Sequence, residues 1–420
     1  MNILWHSNSS STPSGYGNQT KLFTPRLARA GHQVTISAFY GREGSALRNE
    51  DGLLELPRAT DLYGNDIIQA HRKFVQADLV FSLIDPFVLQ PTIWGTFPWA
   101  AWVPVDSAPM LPQNVMALQS ARWVIAMSRF GETQLRAAGF NPLYVPHGIE
   151  TGIFKPIDRA LARAEFARFT ERDVSDKFVV MSVAANKDAP SRKNFAGMIE
   201  AFAGFSAEHP DAVFYLHTEP NGIWRGESIL TIAQAYGVAD KIILPSQYAI
   251  VCGLVDSTLM NHLYNAADVF LLLSRGEGFG IPIVEAQSAG CPVIVTDFSA
   301  SAELGSTGWT VPIMPYMFVP GAWQAIALST EAQHNLATTY ALKQAGRLEE
   351  KRQAARTWAL AYDADRVMAT YWQPALTRIE ADLASDNPVN AVPERTQGPS
   401  RPPATTSCAD HEMPLEVAYA

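Results

Sequence analysis

The densest concentration of chemistry in the chain is the run Ser274-Arg275-Gly276-Glu277-Gly278-Phe279-Gly280-Ile281-Pro282-Ile283-Val284-Glu285-Ala286. Glycines at 276, 278 and 280 free the backbone to come close to a ligand. An apolar strand precedes the run. Pro282 suits the first turn of a following helix, whose unpaired N–H groups can meet oxygens of a sugar or phosphate. Glu277 lies in the loop, able to hold sugar hydroxyls. Glu285 lies just inside the helix, able to accept hydrogen bonds from a diol such as a ribose. The plainer alternative is a tight loop carrying two surface glutamates.

Three further segments offer complementary groups. Ser14-Gly15-Tyr16-Gly17-Asn18 puts flexible glycines at a helix N-terminus, where a phosphate or sugar fits. The same stretch approaches a dinucleotide fingerprint. However, the loop from His6 is too long, Thr20 stands at the third glycine, and no acid ends the second strand near Phe39. Ser191-Arg192-Lys193-Asn194 supplies cations that could stabilise charge on a departing diphosphate; a solvated basic loop is the bland reading. Trp102-Val103-Pro104-Val105-Asp106 ends a strand on a carboxylate. Asp106 either binds a hydroxyl, serves as a base for the acceptor, or caps a turn.

These segments need a scaffold, and the hydrophobic pattern predicts one. Apolar runs at 3–6, 34–39, 79–83, 99–105 and 123–127 form one series of strands, and 178–183, 213–217, 242–244, 269–273 and 293–296 form a second. Helix-like stretches separate them, which implies parallel βαβ units. Near-continuous apolar runs fit strands covered on both faces. Phe195, Met198, Ile199, Phe202 and Phe205 give one helix an apolar face. The organisation expected is α/β: one domain over 1–156, a second over 157–361 (for which the likeness described next implies acceptor-side and nucleotide-sugar-binding roles respectively), a helix over 362–383 kinked at Pro374, and a disordered proline-rich tail over 384–420.

With the motifs placed, a family likeness emerges. Residues 275–296, including Gly290-Cys291-Pro292-Val293-Ile294, resemble the donor-site segment of retaining glycosyltransferases of family 4 (glycosyl transferases group 1), whose pattern is a Glu, seven residues, then a Glu. The likeness extends over most of residues 1–383. It implies the GT-B fold, with two Rossmann-like doubly wound domains facing across a cleft and a C-terminal helix crossing back. It also implies transfer of a sugar from a UDP- or GDP-linked donor to an acceptor hydroxyl, with retention of configuration: a retaining hexosyltransferase. The catalytic residues so implied are Glu277 and Lys193, and Asp106 is added as the group at the place of the family's first-domain catalytic contact. Donor binding falls to Gly15, Gly17, Arg192, Lys193, Gly278, Phe279, Gly280, Ile281 and Glu285. Such enzymes generally use cationic side chains and helix ends, so neither a metal nor a cofactor beyond the donor is expected.

The chain departs from the family pattern in two places. Ala184-Ala185-Asn186-Lys187 stands where Gly-Arg is usual, leaving Arg192 or Lys187 for the arginine's role. Asp106 stands where many members have a His. Weaker likenesses place Ser128-Arg129 facing the cleft, His147-Gly148 before the linker as a hinge turn, His217-Thr218-Glu219 near the nucleotide, and 246–253 near the base. Asp363-Ala364-Asp365 is expected within a helix, where residues two apart diverge. The first 25 residues also resemble glycosyltransferases encoded by bacteriophages.

Composition bounds the rest. The 420 residues are 47% hydrophobic, enough for a real core, and 32 Lys+Arg against 41 Asp+Glu give a net charge of −9. That balance disfavours a phosphate-backbone binder, so modified DNA ranks below an acceptor glycan, protein or lipid-linked sugar. Cys252, Cys291 and Cys408 are widely spaced, which fits a reducing cytoplasm. No apolar run is long enough to span a bilayer, and Asn2-Ile3-Leu4-Trp5 lacks a basic leader. Two competing readings are an NAD-dependent oxidoreductase and a catalytically inactive nucleotide-sugar- or glycan-binding protein.

Overall fold

The computed structural model describes residues 1–222 and 225–385. All but the first two residues of the expected tail lie outside this range. Two open sheets dominate. The first contains β1 (Asn2–Asn8), β2 (Gln33–Tyr40), β3 (Leu47–Arg48), β4 (Leu54–Pro57), β5 (Leu79–Leu83), β6 (Trp99–Val103), β7 (Trp123–Ala126) and β8 (Leu143–Tyr144). Their order is β3-β4-β2-β1-β5-β6-β7-β8. All pair in parallel except β3 with β4.

The second sheet contains β9 (Phe178–Val183), β10 (Ala212–His217), β11 (Ile242–Ile243), β12 (Val269–Leu272), β13 (Val293–Thr296) and β14 (Trp309–Val311). It is wholly parallel, in the order β11-β10-β9-β12-β13-β14. Strands β5, β6, β7, β12 and β13 are buried along their whole length, as expected of strands sandwiched by helices. Both sheets are doubly wound. The chain reverses direction across the sheet between β1 and β5 and again between β9 and β12. Ligand crevices of open α/β sheets lie beyond the C-terminal strand ends at such reversals.

Several elements depart from the expected pattern. The short strands β3, β4, β8 and β14 add edges to the sheets. An antiparallel hairpin, β15 (Ile313–Val319) and β16 (Ala322–Ala327), follows β14. The C-terminal segment is helical from Ala364 to Ala384, with its pitch changing just before Pro374. Met368–Trp372 form a π turn, and Pro374 sits in the first turn of the next helix, Gln373–Ala384. The wider turn accommodates the missing proline N–H.

That segment does cross back to the first domain. Trp372 is fully buried there among Trp5, Phe23, Phe81 and Trp102, with ring centroids 5.0–5.9 Å apart. Trp123 Nε1 donates to Asp382 Oδ2 at 3.1 Å, and Arg122 donates to the Asp382 carbonyl at 2.6 Å. Asp363 caps the short helix Ala364–Val367 rather than lying inside it. Its carboxylate accepts from the Asp365 and Arg366 amides.

Candidate active site

Four loops meet at the two reversals: those after β1 and β5 in the first sheet, and those after β9 and β12 in the second. The loop after β9 ends at Asn194, which adopts φ 58° and caps the helix Phe195–Glu208 by accepting from the Gly197 amide at 3.3 Å. Asn194 Nδ2 donates to the Leu273 carbonyl at 3.2 Å, fixing this loop to the end of β12. Arg192 and Lys193 are thereby aimed at the glycine-rich loop.

Lys193 Nζ donates to Glu277 Oε1 at 2.5 Å. Arg192 Nη1 donates to the Gly276 carbonyl and lies 3.7 Å from Glu277 Oε2 and 3.6 Å from Asp106 Oδ2. The Glu277 amide donates to Ser299 Oγ at 2.8 Å. Burial alone would raise the Glu277 carboxyl, but the Lys193 and Arg192 charges prevail and hold it at about 2. Burial pulls Lys193 below the ordinary lysine range, with Glu277 opposing. The charges of Glu277, Asp106 and Asp85 outweigh burial and raise Arg192. Lys187 is exposed, and no described ion pair or hydrogen bond joins it to this cluster.

The glycines serve the domain interface as well as the loop itself. A Cβ on Gly276 would meet the Asp106 carbonyl oxygen at 2.1 Å, and one on Gly278 would meet Pro104 Cβ at 2.4 Å. Their missing side chains let the second domain's loop press against the end of β6. Only Gly280, at φ 108°, answers the backbone requirement of the turn into the helix Ile281–Ser288. In the first domain, Gly17 is buried, and a Cβ there would meet the Thr12 carbonyl oxygen at 2.2 Å. Gly15 is exposed and sits opposite Ile281, 3.6 Å from its Cδ1 to a Cβ built on Gly15. The cleft face of this loop is therefore Gly15 rather than Gly17.

Glu285 is buried, and the Tyr264 hydroxyl donates to its Oε2 at 2.9 Å. Burial raises this carboxyl to about 7, with the tyrosine bond opposing. Phe279 is also buried. It faces the His147 ring at 5.1 Å, and His147 lies 4.5 Å from Trp102. His147 is thus a wedge between the domains, pushed down to about 3 by burial and neutral at physiological pH.

Other expected positions also serve internal ties. The Arg129 and Phe130 amides donate to Glu303 of the second domain at 2.9–3.1 Å. The Asn186 amide donates to Glu219 Oε2 at 2.8 Å, and burial lowers His217 to about 4. Cys291 is buried in the core, where burial pushes its thiol up to about 12.

The sequence reading missed Asp85, Tyr16 and Gln324. Asp85 follows β5 at a strand end like that of Asp106 after β6. The Tyr16 hydroxyl donates to its Oδ2 at 3.3 Å, and burial with the nearby Asp106 raises it to about 6. Gln324, on the hairpin, donates to Asp106 Oδ2 at 3.3 Å. The first domain therefore supplies carboxylates, and the second a carboxylate and both cations, to one cluster at the mouth of the cleft.

The fold has known counterparts. Residues 178–324 match the family model described as Glycosyl transferases group 1. The fold is GT-B-like. Sucrose-phosphate synthase from Thermosynechococcus elongatus superposes with a TM-score of 0.68 at 15% identity, over 91% of this chain and 100% of that one. Anabaena HepE, solved in complex with UDP and glucose, superposes with a TM-score of 0.65 at 17% identity, over 90% and 99%. In sequence, the chain is 27% identical over 234 residues to the D-inositol 3-phosphate glycosyltransferase of Segniliparus rotundus, covering 54% of this chain and 46% of that protein. The chain thus spans about half the length of that relative. The group 1 match contains Lys193, Arg192, Glu277 and Glu285 together. Among the described residues no helix is long and apolar enough to cross a membrane, and no His, Cys, Asp and Glu group has a metal-binding arrangement.

Proposed function

We propose that the chain is a retaining glycosyltransferase that moves a hexosyl group from a UDP- or GDP-linked donor to an acceptor hydroxyl. The observation carrying this reading is the convergence of Arg192 and Lys193 on Glu277, beyond the C-terminal ends of β9 and β12 and inside the segment matching the group 1 model. A bound diphosphate competes with Glu277 and Asp106 for the two cations. As the glycosidic bond breaks, charge builds on the diphosphate, and the cations stabilise it where water is excluded. Glu277, released from Lys193, takes hydroxyls of the transferred sugar. Glu285 takes the ribose diol. No side chain is assigned as a nucleophile. Asp106 faces the acceptor from the first domain, in the place where the family often has a His.

The donor binds mainly the second domain and the acceptor mainly the first, with a glycan, a protein or a lipid-linked sugar as the classes of acceptor. The test is a panel of UDP- and GDP-sugars assayed for nucleoside diphosphate release, with the product anomer read by NMR. Release from one nucleotide class with the donor's anomeric configuration kept supports the reading. An inverted product would overturn retention, and no release with any donor would overturn the activity.

A further inference from the structure

The hairpin β15–β16 is bound to both halves of the cleft on either side of Gln324. At Trp323 it forms a two-bond bridge to the first domain: the Ala108 amide donates to the Trp323 carbonyl at 2.9 Å, and the Trp323 amide donates back at 3.2 Å. One residue past Gln324, the Ala325 amide donates to the Arg275 carbonyl at 2.9 Å. Gln324 is only 1% exposed. Its amide is oriented by donation to Asp106 Oδ2, and its Oε1 is buried without a hydrogen-bond partner. Tyr316 pairs with Gln324 across the hairpin, and the Arg275 guanidinium lies 4.7 Å from the Tyr316 ring with its Nε also unpartnered. A buried acceptor and a buried donor left open beside a carboxylate amount to an incomplete hydrogen-bond set.

We propose that this hairpin completes the acceptor subsite, with Gln324 Oε1 and the Asp106 carboxylate receiving hydroxyls of a neutral, polyhydroxylated acceptor. The inference rests on the function proposed above and narrows it. Gln324 Oε1 and the Asp106 carboxylate are both acceptors, so they call for hydroxyl donors on the ligand. The surrounding charge disfavours a phosphorylated acceptor, even with the Arg275 guanidinium, packed on the Tyr316 ring, beside the subsite. Asp85, Asp106 and Glu277 line the same mouth, and a donor diphosphate already occupies Arg192 and Lys193, the cations that offset those carboxylates. Asp106, freed from Arg192 when the donor binds, turns to the acceptor. Donor binding should therefore precede acceptor binding.

The experiment measures nucleoside diphosphate release from the active donor with water alone, with free hexoses, myo-inositol and glycerol, and with the monophosphates of the same compounds. Neutral polyols should raise release above the water rate, and their phosphates should not. Gln324→Leu should raise the acceptor KM about tenfold, the loss of roughly one hydrogen bond, while kcat at saturation changes less and UDP or GDP affinity persists. Gln324→Asn, which keeps an amide but withdraws it by one methylene, should fall between. Preference for the phosphates, no stimulation by any neutral polyol, or an unchanged KM in both variants would overturn the inference. So would Gln324→Leu losing nucleotide affinity in step with acceptor affinity, because that pattern belongs to a purely structural hairpin. Failure of the parent protein to bind either UDP or GDP would instead remove the proposed function, and the inference with it.

Discussion

Replacing Glu285 with Gln should make the protein more stable and its donor site weaker. The carboxyl is buried against one hydroxyl, Tyr264, and is raised from 4.5 to about 7. A raised carboxyl favours the protonated form in the folded state. Its stabilising contribution is fully present below 4.5 and is lost as pH rises through about 7. Above both values the ionised group costs the folded state about 3 kcal/mol. Gln cannot ionise, and its amide oxygen still accepts from Tyr264. The stability difference between variant and parent should therefore be near zero at about pH 4 and grow to about 3 kcal/mol by about pH 8. Over the same change, nucleotide affinity should fall tenfold or more, because a charge-assisted bond to the ribose diol contributes about 1.5–3 kcal/mol. Urea midpoints at the two pH values, paired with UDP and GDP titrations, read both effects. A stability difference that does not change with pH would refute the burial argument, and unchanged affinity would refute the assignment of the diol to Glu285.

Two further substitutions probe the scaffold, and one probes a residue that could be mistaken for a catalyst. Gly278→Ala places a methyl group 2.4 Å from Pro104 Cβ, so it should open the cleft without unfolding either domain, seen as a larger radius of gyration in solution scattering and a loss of turnover. Asp268→Asn removes the buried carboxylate that Arg159, Arg163 and Lys343 share at 2.8–3.0 Å, and should cost up to about 3 kcal/mol of stability in urea unfolding, leaving three partly buried cations uncompensated. His147→Phe should keep most of the activity, because the ring is neutral and wedged between Trp102 and Phe279; a drop of a hundredfold in turnover would mean the imidazole does chemistry.

The main strands were readable because parallel strands covered on both faces become unbroken apolar runs, such as 99–103 and 269–272. The hairpin was not, because its outer strand leaves Met314, Met317 and Phe318 exposed and contains Pro315, so no alternation marks it. The loop 274–286 was recognisable from its residue types, and so was Lys193 as a cation near a strand end; that the two meet through Glu277 was not. The loop's glycines have a further neighbour that the sequence did not name. Gly276 and Gly278 answer to Asp106 and Pro104, far away in sequence, and a local motif cannot name a partner across a domain interface. Asp85 carried a usable signal, an acid just after an apolar strand in the same setting as Asp106. Gln324 carried none, since its part in the site depends on a hairpin bridging two distant loops.

The central claim is that Lys193 and Arg192 exchange Glu277 and Asp106 for a nucleoside diphosphate. Calorimetric titration of UDP and GDP into the parent protein and Lys193→Met tests it most directly. One of the two nucleotides should bind the parent, more weakly as salt is raised, and the variant should bind it at least tenfold less tightly, in keeping with the loss of one charge-assisted hydrogen bond. Equal affinity in both proteins, or no binding of either nucleotide to the parent, would contradict it.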